Sequence, residues 1–217
     1  MIKETELLLI RHGAIDNPND VAYGRLEGFP LSEIGKRQVS QLVEILKAKG
    51  IKFDIIYSSP LERTVQTAQI LKDKLEVESL VVREKLTDID IGNLSGQPMD
   101  VIRQAQFNSE RLRVLGYTIE TPNSVLARIS DLFQETIQKY QGKCVAFVTH
   151  GDIARIFLWS LQNPETPTLS DLRDKDYLPP AGAVILQLDS DGKLLGYEHI
   201  SKDSSDQNQN PRKLEAS

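Results

Sequence analysis

Residues Leu7-Leu8-Leu9-Ile10 form an uninterrupted apolar run that stops at Arg11-His12-Gly13. A short run without alternation fits a strand buried on both faces, and such strands belong to parallel sheets covered by helices. In open sheets of that kind, ligands bind in the crevice beyond the carboxyl ends of the strands. Arg11 and His12 are therefore expected at the mouth of a site. A second apolar run, Val145-Ala146-Phe147-Val148-Thr149, ends in the same way in His150-Gly151. One His-Gly pair would carry little weight. Two, each closing a buried-strand signal with arginines at hand, indicate a pocket for an anion.

The stretch between the two runs alternates in character. Residues 14–30 hold Asp16-Asn17-Pro18-Asn19-Asp20 and Tyr23-Gly24-Arg25-Leu26-Glu27-Gly28, turn chemistry without a sustained period, hence a loop beside the first strand. A loop of that length inside a compact domain is usually functional. Ser32 is the expected N-cap of a helix with Val39, Leu42, Val43 and Leu46 on its apolar stripe and Gly50 at its end. Strand Asp54–Tyr57 runs into Ser58-Ser59-Pro60-Leu61-Glu62-Arg63-Thr64, where a cap serine and a first-position proline place Arg63 in the first turn of the next helix. A positive helix end and a guanidinium fork there favour the same anion.

Leu80–Arg83 reads as a short strand, and residues 86–96 as a loop that aims Asp88, Asp90 or both at something. A short helix is expected from Pro98 through Gln104. Thr121-Pro122-Asn123-Ser124 opens a longer one with Val125, Ile129, Leu132, Phe133, Ile137 and Tyr140 inward and Gly142 at its end. A helix over 152–161 follows His150-Gly151. Residues 183–188 and 193–200 around Asp189-Ser190-Asp191-Gly192 form a hairpin. The pattern predicts an α/β fold: a three-layer sandwich with a largely parallel central sheet flanked by helices and a C-terminal antiparallel hairpin. Residues 1–200 are expected to form one domain, and 201–217 a disordered polar tail.

Composition narrows the partners. The 217 residues are 40% hydrophobic, enough for one good core, and a formal net charge of −5 argues against nucleic acid or an anionic membrane as the main partner. No run approaches the roughly 18 apolar residues that span a bilayer, and Met1–Glu6 lacks the basic flank of a secretory signal, so cytoplasmic residence is the expectation. Cys144 lies inside a strand run and reads as a packed thiol. The histidines sit in neither an HExxH nor an H-x-H pattern, so no metal is expected. No GxxxxGK[ST], GxGxxG or Gly-x-Ser-x-Gly motif is present. His199 has no strand-end context and is expected to be exposed.

Five segments in order carry a resemblance: Leu9-Ile10-Arg11-His12-Gly13; Gly24-Arg25-x-x-Gly28-x-x-Leu31-Ser32-x-x-Gly35-x-x-Gln38; Ser58-Ser59-Pro60-Leu61-x-Arg63-Thr64-x-x-Thr67-Ala68; Leu86-x-Asp88-x-x-x-Gly92; and Val148-Thr149-His150-Gly151. Together they resemble the histidine phosphatase superfamily, in its phosphoglycerate mutase-like branch. The resemblance implies that His12 is a nucleophile that passes through a phosphohistidine, while Arg11, Arg63 and His150 form the phosphate pocket. Asn17, Gly24, Arg25 and Gly151 are the further substrate-binding positions. An unperturbed imidazole pKa of about 6.5 suits attack on phosphorus near neutrality, and permanent guanidinium charge suits the equatorial oxygens, so no cofactor is required. The expected partner is a small phosphorylated substrate or phosphate, acting on a monomer or homodimer.

The chain departs from the family pattern at several positions. The proton donor of the Leu-x-Glu-x-x-x-Gly segment falls on Asp88, with Asp90 and Glu84 as substitutes. Ala14 follows Arg-His-Gly where glutamate is frequent, Asn17 comes one residue early, Ser95-Gly96 replaces Glu-Gly, and Pro122-Asn123-Ser124 replaces Gly-Glu-Ser. Phosphomonoester hydrolysis is favoured over mutase action, because the tryptophan-containing substrate loop and basic insertion of the mutases are replaced by Tyr23–Phe29 and a single Arg111-Leu112-Arg113 cluster. The alternatives are cofactor-dependent phosphoglycerate mutase-type transfer, or a catalytically weak regulator that binds phospho-ligands.

Overall fold

The computed structural model describes residues 4–106, 108–163, 165 and 177–200. The tail from Ser201, and most of residues 164–176, lie outside the described residues. Six strands, β1 (Thr5–Arg11), β2 (Ile55–Ser58), β3 (Leu80–Val82), β4 (Cys144–Thr149), β5 (Ala183–Leu188) and β6 (Leu194–Ile200), form one sheet in the order β3-β2-β4-β1-β5-β6. Strands β1 to β4 pair in parallel, and the β5–β6 hairpin adds to β1 antiparallel, as the apolar runs and the Asp189–Gly192 turn led one to expect.

Side chains alternate across the pleat and divide the core in two. On one face Leu8, Ile10, Ile56, Ala146 and Val148 meet Val39, Leu42, Val43 and Leu46 of α1 (Glu33–Ala48) and Ala68 and Leu71 of α2 (Glu62–Lys74). On the other, Leu7, Leu9, Tyr57, Val145 and Phe147 meet α5 (Pro122–Lys139) and α6 (Gly151–Gln162). The short α3 (Met99–Gln104) and α4 (Ser109–Val114) enclose a smaller cluster around Ala22, Leu94, Ala105 and Leu112. Burial of each large aliphatic side chain stabilises this sandwich by about 1.5–3 kcal/mol.

The caps of α1 and α5 are those the sequence announces. Ser32 Oγ accepts from Gly35 N–H at 3.0 Å, and Thr121 Oγ1 accepts from Ser124 N–H at 3.2 Å with Pro122 in the first turn. The start of α2 is a correction. Pro60 does not open the helix and Ser59 does not cap it; the cap position is Leu61, whose side chain cannot accept a hydrogen bond. Thr64 instead donates its hydroxyl to Leu61 O at 2.6 Å and to Ser59 O at 3.0 Å. Residues 86–96 form the expected loop, with one 3-10 turn at Gly92–Leu94, and the short α4 is an addition that the pattern did not announce. Cys144 is buried, and burial pushes its thiol up to about 12. His199 is exposed on β6, and no described helix is long and apolar enough to cross a membrane.

Candidate active site

The two strand-end histidines meet because β1 and β4 are central neighbours in register. Arg11 pairs with Thr149, so His12 and His150 leave the sheet side by side, and His12 N–H still donates to Thr149 O at 3.1 Å. Their ring centroids stand 5.3 Å apart with planes inclined at 63°. Both side chains are buried.

Each ring is oriented by its second nitrogen. His12 Nδ1 lies 2.7 Å from Gly13 O. A carbonyl only accepts, so Nδ1 carries the proton and Nε2 holds the lone pair. His150 Nε2 is 2.8 Å from Ser59 Oγ, and its Nδ1 faces Asp88 Oδ2 at 3.4 Å without a hydrogen bond. Ser59 thus orients an imidazole rather than beginning a helix.

Tight backbone contact holds the loop after His12 in place. A Cβ on Gly13 would stand 2.6 Å from Gly35 O, and one on Gly35 would stand 2.0 Å from Ala14 O. Gly13 N–H donates to Thr67 Oγ1 and Ala14 N–H to Gln38 Oε1, tying the loop to α2 and α1.

Arg63, the second residue of α2, is 1% exposed. Its Nη2 donates to Gly24 O at 2.7 Å and to Asp88 Oδ2 at 3.0 Å, and its guanidinium lies over the Tyr23 ring. Arg11 donates to Leu178 O at 2.8 Å and lies over the Tyr177 ring. The Nε atoms of both arginines and Nδ1 of His150 are buried with no hydrogen-bond partner among the described residues. Unpaired buried donors of this kind are costly unless a ligand accepts from them.

Electrostatics follow from this crowding. Burial, then the neighbouring His150, Arg11 and Arg63, hold His12 well below the ordinary histidine range. Burial, then Arg63 and Arg11, do the same to His150. Both rings are therefore neutral near pH 7. Asp88 moves the other way: burial raises its carboxyl, against the opposing pull of Arg63 and of Ile89 N–H, which donates to Oδ1 at 2.9 Å.

The remaining residues singled out in the sequence separate by position. Asp90 is exposed, accepts from Gly92 N–H and faces Arg25 at 3.6 Å. Glu84 is exposed and accepts from Thr87 Oγ1. Neither makes a contact with His12, His150 or Arg63 like those of Asp88. Asn17 exchanges two hydrogen bonds with the Val21 backbone, shaping its own loop. Gly24 offers its carbonyl to Arg63, whereas Arg25 turns its guanidinium onto Asp88 O, Glu120 and Asp90. Gly151 is the first residue of α6, where a Cβ would meet the Tyr177 hydroxyl at 2.4 Å. Sequence reasoning missed Glu120 and Arg128. The i,i+4 spacing of Ser124 and Arg128 on α5, with Glu120 just before the cap residue Thr121, was the available signal. Among the described residues no group of three or more His, Cys, Asp or Glu side chains is arranged to hold a metal ion.

Residues 7–196 match the family model of the histidine phosphatase superfamily (branch 1). A phosphoglycerate mutase of Schizosaccharomyces pombe is 27% identical over 205 residues, covering 89% of this chain and 95% of that protein. Bacillus stearothermophilus YhfR superposes with a TM-score of 0.73 at 26% identity, covering 88% of this chain and 94% of the other. A mycobacterial glucosyl-3-phosphoglycerate phosphatase, solved in complex with VO3, shares the fold with a TM-score of 0.68 at 23% identity, covering 83% and 92%.

Proposed function

This chain belongs to the histidine phosphatase superfamily (branch 1), and from that premise we propose that it hydrolyses small phosphomonoesters through a phosphohistidine on His12. The observation that carries the reading is the buried pair of neutral imidazoles, one with its Nε2 lone pair available, beside two guanidinium groups with unpaired Nε donors. In the first step Nε2 of His12 forms a bond to phosphorus as the ester P–O bond breaks. Arg11, Arg63 and His150 hold the equatorial oxygens, where positioning and charge stabilisation supply most of the rate. Asp88 gives its proton to the departing alkoxide, which leaves as an alcohol. Water then attacks phosphorus and returns a proton to Asp88, the N–P bond breaks and phosphate departs.

Arg11, Arg63, His12, His150 and Asp88 are the core of this proposal. Gly151, at the amino end of α6, is proposed as a backbone contact to the phosphoryl group, and Asn17 and Gly24 as residues that shape the substrate wall. Asp88 is preferred to Asp90 and Glu84 as the acid, because burial that favours the protonated carboxyl acts on it and the other two are exposed.

A second reading, phosphoglycerate mutase-type transfer, is favoured by the names of the curated relatives. Hydrolysis is preferred because the arginines of the 111–113 cluster are engaged locally, Arg111 with Gln106 Oε1 and Arg113 with Ile119 O. The test is phosphate release from a panel of phosphorylated sugars, glycolytic acids, nucleotides and phosphopeptides by wild type and His12→Ala. Steady release lost in the variant supports hydrolysis. Efficient interconversion of phosphoglycerates with little release, dependent on a bisphosphate, overturns it. Binding of phosphate without turnover of any ester would point to a regulator.

A further inference from the structure

Glu120 lies just before α5 with its side chain 9% exposed, and its carboxylate accepts from five donors. Oε1 takes Arg128 Nε at 3.0 Å and Ser124 Oγ at 3.1 Å. Oε2 takes Arg25 Nη2 at 3.0 Å, Asp90 N–H at 3.1 Å and Arg128 Nη2 at 3.2 Å. Burial alone would raise its carboxyl, but the hydrogen bonds from Arg128 and from the Asp90 backbone outweigh it and hold it below the usual range.

The two arginines so held reach past Glu120 to one short segment. Arg25 Nε donates to Asp88 O at 2.7 Å, Arg128 Nη2 to the same oxygen at 3.3 Å, and Arg128 Nη1 to Lys85 O at 2.7 Å. Glu120 N–H adds a bond to Asp90 O at 2.7 Å. The loop bearing Asp88 is thus pinned at Lys85, Asp88 and Asp90 from a single hub. Residue 24 meanwhile gives its carbonyl to Arg63, which contacts the Asp88 carboxylate, so adjacent residues of one loop hold both members of the Arg63–Asp88 contact.

We propose that Glu120, with Arg25 and Arg128, is a positioning cluster that fixes the Asp88 carboxyl at the distance where it can protonate a leaving group. Arg25 acts in this cluster through Asp88, not on the phosphoryl group. The inference rests on Asp88 being the acid. A half-buried charged hub whose central carboxylate accepts five hydrogen bonds specifies geometry more than it adds stability. Its effect is therefore confined to substrates whose leaving group needs a proton.

The test compares an alkyl ester, glycerol phosphate, with an aryl ester, para-nitrophenyl phosphate, whose leaving group departs as a stable anion. Glu120→Gln is expected to lower kcat for the alkyl ester about ten-fold or more, leaving KM and the aryl kcat within about three-fold. In an Asp88→Asn background the same substitution is expected to cost nothing further on the alkyl ester. Equal losses on both esters, no loss on either, or an undiminished loss in the Asp88→Asn background would overturn the cluster's role. Asp88→Asn retaining alkyl turnover would remove the acid assignment and this inference together; Asp88→Asn selectively impaired with Glu120→Gln unselective removes the inference alone. Arg25→Gln, which leaves the Glu120–Arg128 contacts in place, supplies the same readout should Glu120→Gln fail to fold.

Discussion

A histidine stripped of water and faced by two guanidinium groups releases its proton below the usual range, and His12 and His150 both stand in that position. The sign of the resulting stability effect is fixed. Between pH 6.5 and the lowered folded-state values, the unfolded chain binds protons that the folded one does not, so stability falls as pH falls through that window. Each ring contributes a slope of up to about 1.4 kcal/mol per pH unit there. Urea unfolding across pH 5–7 is expected to show this slope reduced by about half in His12→Gln. Catalysis has its own pH signature. On the proposed mechanism, turnover requires His12 neutral, which places the acidic limb below 6.5, and Asp88 protonated, which places the basic limb of alkyl-ester turnover above the ordinary 3.8. Asp88→Asn is expected to lower alkyl-ester kcat about 10²–10⁴-fold and to spare aryl esters, measured as released phosphate. Equal turnover of alkyl esters by this variant would remove Asp88 from the mechanism.

At the scale of the elements, the site depends on how closely α1 approaches the turn after β1. Gly35→Ala would drive a methyl group against Ala14 O, which sits 2.0 Å from its position and belongs to backbone that cannot yield cheaply. Loss of about 1–3 kcal/mol of stability is expected, with a fall in kcat as the His12–Gly13 turn shifts. Thermal unfolding and steady-state rates together would read it; unchanged values in both would show that the approach is not required. The strands and the α1 and α5 caps were legible in the sequence because local signals, a buried run or a serine or threonine cap, decide them. The start of α2 was misread for a tertiary reason: Ser59, which local rules assign to a cap, is drawn onto His150. Glu120 and Arg128 were invisible for a similar reason, since their purpose appears only when the loop at 85–90 is folded against α5. The convergence of His12 and His150 was legible in kind, because two buried parallel strands ending in His-Gly have one crevice to share. Their spacing required the β1–β4 register.

The whole molecule is a scaffold that brings Arg11 and His12 at the end of β1, Arg63 on α2 and His150 just beyond β4 to one end of a sheet in a protein of net charge −5. Arg63 is buried and shares the Asp88 carboxylate, while Arg11 is half-buried, so on the proposed reading an added anion offsets the positive charge that Asp88 leaves uncompensated. Inorganic phosphate or vanadate is therefore expected to stabilise the fold, by about 2.7 kcal/mol at a hundred times its Kd, and Arg63→Gln to abolish most of that gain in thermal unfolding. An unaltered response in Arg63→Gln would place the anion elsewhere. The central claim, that phosphorus is transferred to His12, is tested most directly by quenching the protein with base during turnover of a phosphomonoester and locating the added phosphoryl group by peptide mass. Phosphate on His12, absent from His12→Ala, is the expected result; turnover with the phosphoryl group on another residue, or hydrolysis undiminished in His12→Ala, would contradict it.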